Sequence, residues 1–107
     1  MEKWREIVAK RLAAGDEVLK EYPGKLDGQE GHLALSKERV VFVNEKGFLK
    51  KTYSVTLDVP INKIGKIERT KKYELEFIDD TGTPHKLSTV LTRVPSENIE
   101  ESLKELR

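Results

Sequence analysis

The residue types that most often carry catalysis or bind metals are sparse in this chain. His32 and His85 are its only histidines, and they are far apart in sequence, with no close spacing to acidic residues of the kind that suggests a metal triad. Cysteine is absent, which excludes disulfides, thiolate catalysis and sulfur-ligated metals. No serine is paired with a base by a recognisable motif. We therefore expect a protein that is not an enzyme and has no metal or cofactor, with both histidines on strand surfaces as cross-strand neighbours.

One tripeptide, Asp80-Thr81-Gly82, matches the catalytic sequence of aspartic proteases, whose chemistry needs two such carboxylates in a dimer cleft. Thr83-Pro84 follows where those enzymes have a small residue, and a second glycine-rich motif before the last helix is missing. The tripeptide lies between two alternating segments, so residues 79–82 are predicted to form a hairpin turn. We expect turn chemistry here, not peptide hydrolysis.

The charged residues nearly cancel over the whole chain but not locally. The 107 residues include 20 Lys and Arg and 19 Asp and Glu, for a net charge of +1, which argues against a generic polyanion binder. Residues 46–72 nevertheless contain eight basic and two acidic side chains. Nucleic-acid binding would require aromatic residues interleaved with basic ones for stacking, and only Tyr73 is near the basic residues Lys63, Lys66, Arg69, Lys71 and Lys72. Nucleic acid is therefore an unfavoured partner.

The best candidate for ligand contact is a loop within this basic segment. Its residues are Lys46, Phe48, Leu49, Lys50 and Lys51. An apolar tip between lysines could enter a bilayer while the lysines meet anionic headgroups. Alternatively, Leu49 shares parity with the inward residues of the next strand and Phe48 could cover an edge of the core, which would leave only solvated lysines. The sequence favours the second alternative and leaves the first open.

An amphipathic helix is predicted at the N-terminus, over residues 2–14, with Gly15 as its stop. Its apolar stripe consists of Trp4, Ile7, Val8 and Leu12. Such a stripe must be covered, either by the chain's own sheet or by a partner, including a second copy of the chain. Docking on the chain's own sheet is the simpler alternative.

From residue 16 to residue 91 the apolar pattern has period two, which predicts about seven short strands. The first, over residues 17–26, should be broken at Pro23-Gly24. In the strand over residues 51–59, alternate side chains should face inward, namely Tyr53, Val55, Leu57 and Val59. The strand that returns after the turn at 79–82 is predicted over residues 87–91.

A second helix is predicted over residues 96–107, where Ser96 is a suitable N-cap and one face is apolar. That face consists of Ile99, Leu103 and Leu106. The helix should cap the open end of the sheets. We expect a single mainly β domain over residues 1–107, with a helical extension at 1–14, a barrel at 16–94 and the capping helix at 96–107.

Two motifs in this order resemble the GRAM-like and bacterial PH-like domains of the pleckstrin-homology-like superfold. Gly31-His-Leu-Ala-Leu-Ser-x-x-Arg39-Val-Val-Phe is similar to their Gly-x-Leu-x-Leu-Thr-x-x-Arg-Leu-Ile-Phe pattern. Val59-Pro60-Ile61-x-x-Ile64-x-x-Ile67-Glu68 is similar to their Ile-Pro-Leu-x-x-Ile-x-x-Val-Glu pattern. The resemblance covers about residues 16–106. It implies a barrel of about seven antiparallel strands in two roughly orthogonal sheets, closed by a C-terminal helix.

The resemblance also implies a non-catalytic binding module. The leading expectation is protein or peptide docking through an exposed strand edge and the groove beside the last helix, with self-association through the Trp4 helix as one form of it. The alternative is peripheral attachment to anionic membrane lipids through the basic loop at 46–51. Lipid-binding members have paired basic residues around the first-to-second strand loop, whereas residues 25–30 contain one lysine and two acids. Arg39 is expected to cover the barrel rim with its aliphatic stem.

The sequence also predicts where the protein works. No apolar run approaches the roughly 20 residues of a membrane span, and the charged N-terminus is unlike a signal peptide. The chain opens with methionine, so we expect a complete small cytoplasmic protein. Few amides and many lysines and glutamates resemble a heat-adapted proteome.

Overall fold

A computed structural model describes residues 2–107, in which seven β-strands lie between two α-helices. Helix α1 (Lys3–Ala9) precedes the strands and helix α2 (Ser96–Leu106) follows them. The strands are β1 (Val18–Leu26), β2 (Gln29–Ser36), β3 (Arg39–Lys46), β4 (Thr52–Pro60), β5 (Gly65–Lys71), β6 (Glu74–Ile78) and β7 (Pro84–Ser88). One turn of 3-10 helix, Ile61–Lys63, joins β4 to β5. The prediction of a mainly β chain with a helix at each end is confirmed.

The strands pair antiparallel in the order β4-β3-β2-β1-β7-β6-β5. The two halves of this order meet where β1 pairs with β7, at Lys25–Ser88 and Leu26–Leu87. The sequence predicted two sheets, whereas the hydrogen-bonded ladder forms one sheet of seven strands. The reason is that β1 is long enough to pair with β2 along its length while its last two residues also bond to β7.

One face of the sheet forms the main core, which α2 covers. The buried residues of this core are Leu26, Leu33, Leu35, Val40, Phe42, Leu57, Val59, Ile61, Ile64, Leu75, Phe77, Leu87, Ile99 and Leu103. Ile99 and Leu103 belong to α2, and Leu106 packs against the same core while partly buried. The predicted apolar face of the last helix is therefore confirmed, and so is its role as a cap.

The opposite face of the sheet carries a smaller cluster, which α1 covers. Trp4 and Val8 are buried there against Ala34, Val41 and Val43 of the neighbouring strands. Alternation along β2 and β3 produces the two clusters, because successive side chains point to opposite faces. The helix is shorter than the predicted 2–14. It ends at residue 9, and the chain continues to residue 12 in i→i+3 turns.

A change of register in β4 distributes its side chains over both clusters. The sequence predicted Tyr53 and Val55 on the same inward face as Leu57. The register pairs Phe42 with Leu57 but Val43 with Val55, so β4 has one extra residue between these pairs. Such a β-bulge reverses the facing of the residues beyond it. Tyr53 and Val55 consequently pack with the α1 cluster.

The predicted break in the first strand is wrong, because β1 runs through Pro23 and Gly24 without interruption. Pro23 lies opposite His32 and Gly24 opposite Gly31 in the ladder with β2. The ladder with β7 includes only residues 25 and 26 of β1, so no strand pairs with the other side of Pro23. A strand tolerates proline where a missing N–H breaks no ladder bond.

The segment between β7 and α2 differs most from the prediction of a strand over 87–91. Strand β7 ends at Ser88, and residues 89–93 turn instead. The buried Thr89 starts this turn, since its N–H donates to the Tyr73 carbonyl at 2.8 Å and its carbonyl accepts from Arg93 N–H at 2.8 Å. Val90 and Leu91 therefore lie in a turn, with 57% and 74% of their surface exposed.

Ser96 begins α2 but is not its N-cap, which is Pro95. The Ser96 hydroxyl donates to the Lys71 carbonyl at 2.7 Å, and its N–H donates to the Lys72 carbonyl at 2.7 Å. The hydroxyl thus fixes the start of the helix to the end of β5 and does not cap the helix's own N–H groups.

Candidate functional site at the loop end of the sheet

The loop that joins β3 to β4 presents two large apolar side chains to solvent. Phe48 is 92% exposed and Leu49 is 94% exposed. The expectation that these residues cover the core is wrong, because residues 47–51 lie outside both strands and strand parity does not apply to them. Gly47 turns the chain out of β3 with φ +106, and a Cβ at this position would collide with the Lys50 carbonyl.

Two lysines flank this apolar pair without a carboxylate partner. Lys46 and Lys50 are exposed and take part in no ion pair among residues 2–107. Lys51 differs, because its ammonium lies 3.2 Å from Glu45 Oε1. We call Lys46, Phe48, Leu49 and Lys50 the tip. The tip combines two exposed apolar side chains with two unpaired positive charges.

Glu45 organises the polar contacts at the base of the tip. Its carboxylate accepts a hydrogen bond from the Tyr53 hydroxyl at 3.3 Å and lies 3.7 Å from His32 Nε2. Burial raises the pKa of Glu45, but the Lys51 ammonium and the Tyr53 hydroxyl outweigh burial, so the pKa is lowered overall. Burial and the nearby Glu45 charge raise the pKa of Tyr53. The carboxylate is thus kept ionised and pairs with Lys51, which is why Lys51 is not counted among the unpaired lysines.

His32 lies on the outer face of the sheet, stacked on Trp4. The ring centroids are 4.3 Å apart and the rings are nearly parallel, at 3°. The two histidines are not cross-strand neighbours as expected, because β1 lies between β2 and β7 in the sheet. His32 is opposite Pro23 and Val43, whereas His85 is opposite Phe77.

His85 joins two turns at the same end of the sheet as the tip. Its Nδ1 lies 2.7 Å from Asp27 Oδ2, in the β1–β2 turn, and its Nε2 lies 2.7 Å from Asp79 Oδ2, at the β6–β7 turn. Ionised carboxylates only accept hydrogen bonds, so this geometry fits a doubly protonated ring that donates from both nitrogens. The His85 and Asp79 side chains are only 12% and 10% exposed. We call these three residues the staple.

The pKa values of the staple agree with its geometry. Burial lowers the pKa of His85, but hydrogen bonds and charges from Asp79 and Asp27 outweigh burial and raise it overall. The Thr81 hydroxyl, His85 and the backbone N–H groups of Thr81 and Thr83 hold the pKa of Asp79 well below its usual range, despite burial. Asp79 also closes the turn over residues 79–82, so the predicted hairpin turn is confirmed.

Arg39 forms an ion pair, which the sequence did not predict. Its Nε donates to Asp58 Oδ1 at 2.6 Å, and Arg11 reaches Asp58 Oδ2 at 3.2 Å. Two guanidinium groups on one carboxylate tie the segment after α1 to the β3–β4 ladder. The Arg39 head group is therefore already occupied by a residue of the chain.

The predicted site residues fall into two separate regions. The tip residues lie at the end of the sheet where the β1–β2 and β6–β7 turns also lie. The N-terminal stripe lies on the outer face, where Trp4 and Val8 are buried and Ile7 and Leu12 are partly buried against the chain's own sheet. The staple was not predicted, because only the register of β7 against β1 brings His85 between Asp27 and Asp79.

No helix among residues 2–107 is long and apolar enough to cross a bilayer, and this part of the chain contains no group of three His, Cys, Asp or Glu side chains that could hold a metal ion. The sequence matches no model of a known protein family, and it matches no curated protein.

Proposed function

We propose that this chain is a non-catalytic PH-like binding module that attaches to anionic membrane surfaces through the tip. The observation that carries the proposal is the exposure of Phe48 and Leu49, each above 90%, at adjacent positions of one short loop. Large apolar side chains so fully exposed contribute almost nothing to the folded core. Their exposure therefore favours contact with another apolar phase.

The composition of the tip suits the interface of an anionic bilayer. Burying a Phe or Leu side chain contributes about 1.5–3 kcal/mol, and a lysine near an anionic surface contributes about 1 kcal/mol. Two apolar and two cationic side chains therefore support weak and reversible attachment, comparable in character to a single lipid anchor. Lys46 and Lys50 can reach headgroups because no carboxylate of residues 2–107 holds them.

The PH-like assignment is supported by order and position. Seven antiparallel strands precede one capping helix, and the two motifs that resemble GRAM-like domains lie at β2–β3 and β4–β5. The isoleucines of the second motif contribute to the core as the resemblance implies: Ile61 and Ile64 are buried, and Ile67 packs against it. By this resemblance, the loop between the third and fourth strands lies on the side where lipid-binding PH domains hold phosphates.

Vesicle sedimentation at low salt tests this function. The chain should sediment with phosphatidylserine-containing vesicles and remain in the supernatant with phosphatidylcholine vesicles, and added salt should release it. Lys46→Glu/Lys50→Glu should abolish sedimentation by charge reversal. Phe48→Ala/Leu49→Ala should weaken it at every salt concentration, because apolar insertion is not screened.

The matched control is Lys10→Glu/Lys20→Glu, which makes the same change in net charge at two exposed lysines outside the tip. This control should still sediment with anionic vesicles. Absence of sedimentation by the unmodified chain at low salt would exclude the membrane function. An equal loss in the control would show that attraction depends on overall charge and does not involve the tip.

A second function, docking of an extended acidic peptide beside β5, is supported by a separate observation. Strand β5 is at the end of the strand order, next to a groove lined by Ile67, Glu68, Arg69, Thr70, Lys71, Lys72 and Glu100. Register shifts interrupt β5 twice, so a peptide would add to only part of the strand. Fluorescence anisotropy with a labelled glutamate-rich peptide should report binding that Lys71→Glu/Lys72→Glu removes. Unchanged binding in that variant would place the peptide elsewhere.

A further inference from the structure

The side chain of His85 bridges two turns that belong to different parts of the sheet. Its Nδ1 faces Asp27 Oδ2 in the β1–β2 turn, and its Nε2 faces Asp79 Oδ2 at the β6–β7 turn, each at 2.7 Å. A nitrogen at this distance from a carboxylate oxygen must carry a proton, because two acceptors without a proton between them repel each other. The bridge therefore exists in this form only while the ring carries both protons.

The two carboxylates are the charged groups that face this ring. No other charged side chain of residues 2–107 forms an ion pair or a hydrogen bond with it. From β6, the apolar ring of Phe77 lies against His85 with the ring centroids 5.5 Å apart. The neighbouring Lys86 points to the opposite face of the sheet, where its ammonium lies 3.8 Å from Glu76. The loss of a ring proton therefore acts on the two turns.

The two carboxylates differ in how easily they can lose the histidine. Oδ1 of Asp79 accepts from the N–H and hydroxyl of Thr81 and from the N–H of Thr83. Its Oδ2 has His85 as its partner, and the side chain is only 10% exposed, so without that donor a nearly buried charged oxygen would be left unsatisfied. The side chain of Asp27 is 48% exposed, and water can replace the histidine there.

We infer that His85 is a pH-sensitive latch: when the ring loses one proton, it keeps its hydrogen bond to Asp79 through Nε2–H and releases Asp27. The unprotonated Nδ1 then presents a lone pair to Asp27 Oδ2. The two acceptors repel each other, so the carboxylate moves away from the ring. The side-chain link between the β1–β2 and β6–β7 turns is thereby opened.

The backbone of Lys86 reports the position of the Asp27 carboxylate. The Lys86 N–H donates to Asp27 Oδ1 at 2.9 Å, and the Lys86 carbonyl accepts from the Asp27 N–H at 2.8 Å. Both backbone groups of Lys86 therefore point toward the β1–β2 turn. A carboxylate that leaves the ring also leaves the Lys86 N–H, which then becomes open to exchange with water.

The latch closes at low pH and opens at high pH. The hydrogen bonds and charges of Asp79 and Asp27 outweigh burial and raise the pKa of His85 above its ordinary value of 6.5. The ring is therefore doubly protonated below pH 6.5, and the latch opens as the pH rises through the folded pKa. The latch lies outside the tip, so it goes beyond the proposed membrane function and does not depend on it.

Nitrogen NMR and amide exchange across this pH range test the latch in the unmodified chain. The ring-nitrogen shifts of His85, assigned by their absence from His85→Gln, should change from the doubly protonated ring to the neutral form with its proton on Nε2. The protection factor of the Lys86 amide should decrease about tenfold over the same range, as expected for the loss of one hydrogen bond to a charged group.

A substitution at the released position sharpens the test. In Asp27→Asn, the side-chain NH2 can donate to the unprotonated Nδ1 while the oxygen still accepts from the Lys86 N–H. Lys86 protection should therefore stay constant as the ring titrates. Asp80→Asn is the matched control, because it makes the same change in net charge at an exposed carboxylate next to Asp79. This control should keep the decrease in protection.

Three results would overturn the latch. A neutral His85 ring with its proton on Nδ1 would mean that Asp79 is released and Asp27 is kept. Constant Lys86 protection in the unmodified chain while the ring titrates would mean that the carboxylate does not move. An equal decrease in Asp27→Asn would mean that the charge of Asp27 is not what opens the link. The first two results come from the unmodified chain, so the test does not depend on the folding of a variant.

Discussion

Two phenylalanines only six residues apart have opposite environments in this protein. Phe42 lies in the middle of β3, fully buried between β2 and β4 in the main core. Phe48 lies in the next loop and is almost fully exposed. Phe42 belongs to β3 and Phe48 follows that strand, because Gly47 turns the chain out of the sheet between them.

The contrast shows which apolar residues the fold requires. Strand pairing and alternation determine where Phe42 points, and its burial contributes to stability. No pairing constrains Phe48, and its removal costs the core nothing. An apolar residue that the fold does not use, next to unpaired lysines, is better explained by an interaction than by stability.

The largest expected effect is that of truncating the buried phenylalanine. Phe42→Ala removes a ring from a core without exposed surface and leaves a cavity, so the free energy of unfolding should decrease by about 3–5 kcal/mol. Urea denaturation followed by circular dichroism measures the change. A decrease of less than 1 kcal/mol would mean that the interior does not depend on this ring, and the comparison with Phe48 would fail.

A smaller loss is expected where the ring of Phe42 meets a glycine. A Cβ at Gly31 would lie 2.7 Å from Phe42 Cε1 and would collide with the Val43 carbonyl, so Gly31→Ala should cost about 1–3 kcal/mol through overpacking. Gly65→Ala is the matched control, because a Cβ at Gly65 meets no atom within 4 Å. Equal stability of the two variants in the same urea titration would show that both the Val43 carbonyl and the Phe42 ring can move aside for the added methyl group.

Most of the fold was predictable because it depends on local pattern. The alternation in β2, β3 and β6 and the apolar face of α2 determine both the elements and the residues that they bury. The errors came from non-local effects. The bulge in β4 places Tyr53 and Val55 on the other face of the sheet. The backbone hydrogen bonds of Thr89 to Tyr73 and Arg93 turn the chain, so β7 ends before Val90.

The candidate site was predictable in composition and not in geometry. The sequence identified the tip residues, but parity with the next strand suggested that Leu49 faces inward, whereas β4 begins only at Thr52 and its alternation does not extend to Leu49. The staple combines residues from strands that are distant in sequence, so it depends on the pairing of β1 with β7. No short-range pattern in the sequence predicts that pairing.

The staple offers a test of how much the end of the sheet that carries the tip contributes to the stability of the fold. His85→Gln removes two charge-assisted hydrogen bonds and leaves Asp79 without its cation, so the free energy of unfolding should decrease by about 1–3 kcal/mol near neutral pH. Urea titration at several pH values measures this difference.

The pH dependence of that loss has a definite sign. The pKa of His85 is raised on folding, so its contribution is complete below the unfolded value of 6.5 and is lost as pH rises through the folded pKa. The pKa of Asp79 is lowered, so its contribution is present above 3.8 and is lost as pH falls. The difference in the free energy of unfolding between the unmodified chain and His85→Gln should be largest between pH 3.8 and pH 6.5. Asp80→Asn alters an exposed carboxylate of the same turn and should leave the difference intact.

The smallest effect on stability is expected at the tip. Phe48→Ala removes a ring that is 92% exposed, so the free energy of unfolding should change by no more than about 0.5 kcal/mol. The same variant should reduce sedimentation with anionic vesicles, which separates the contribution of Phe48 to binding from its contribution to folding. A loss of stability close to that of Phe42→Ala would place Phe48 in the core and remove the basis for the membrane function. Unchanged stability with reduced sedimentation is the combination that only an exposed contact residue produces.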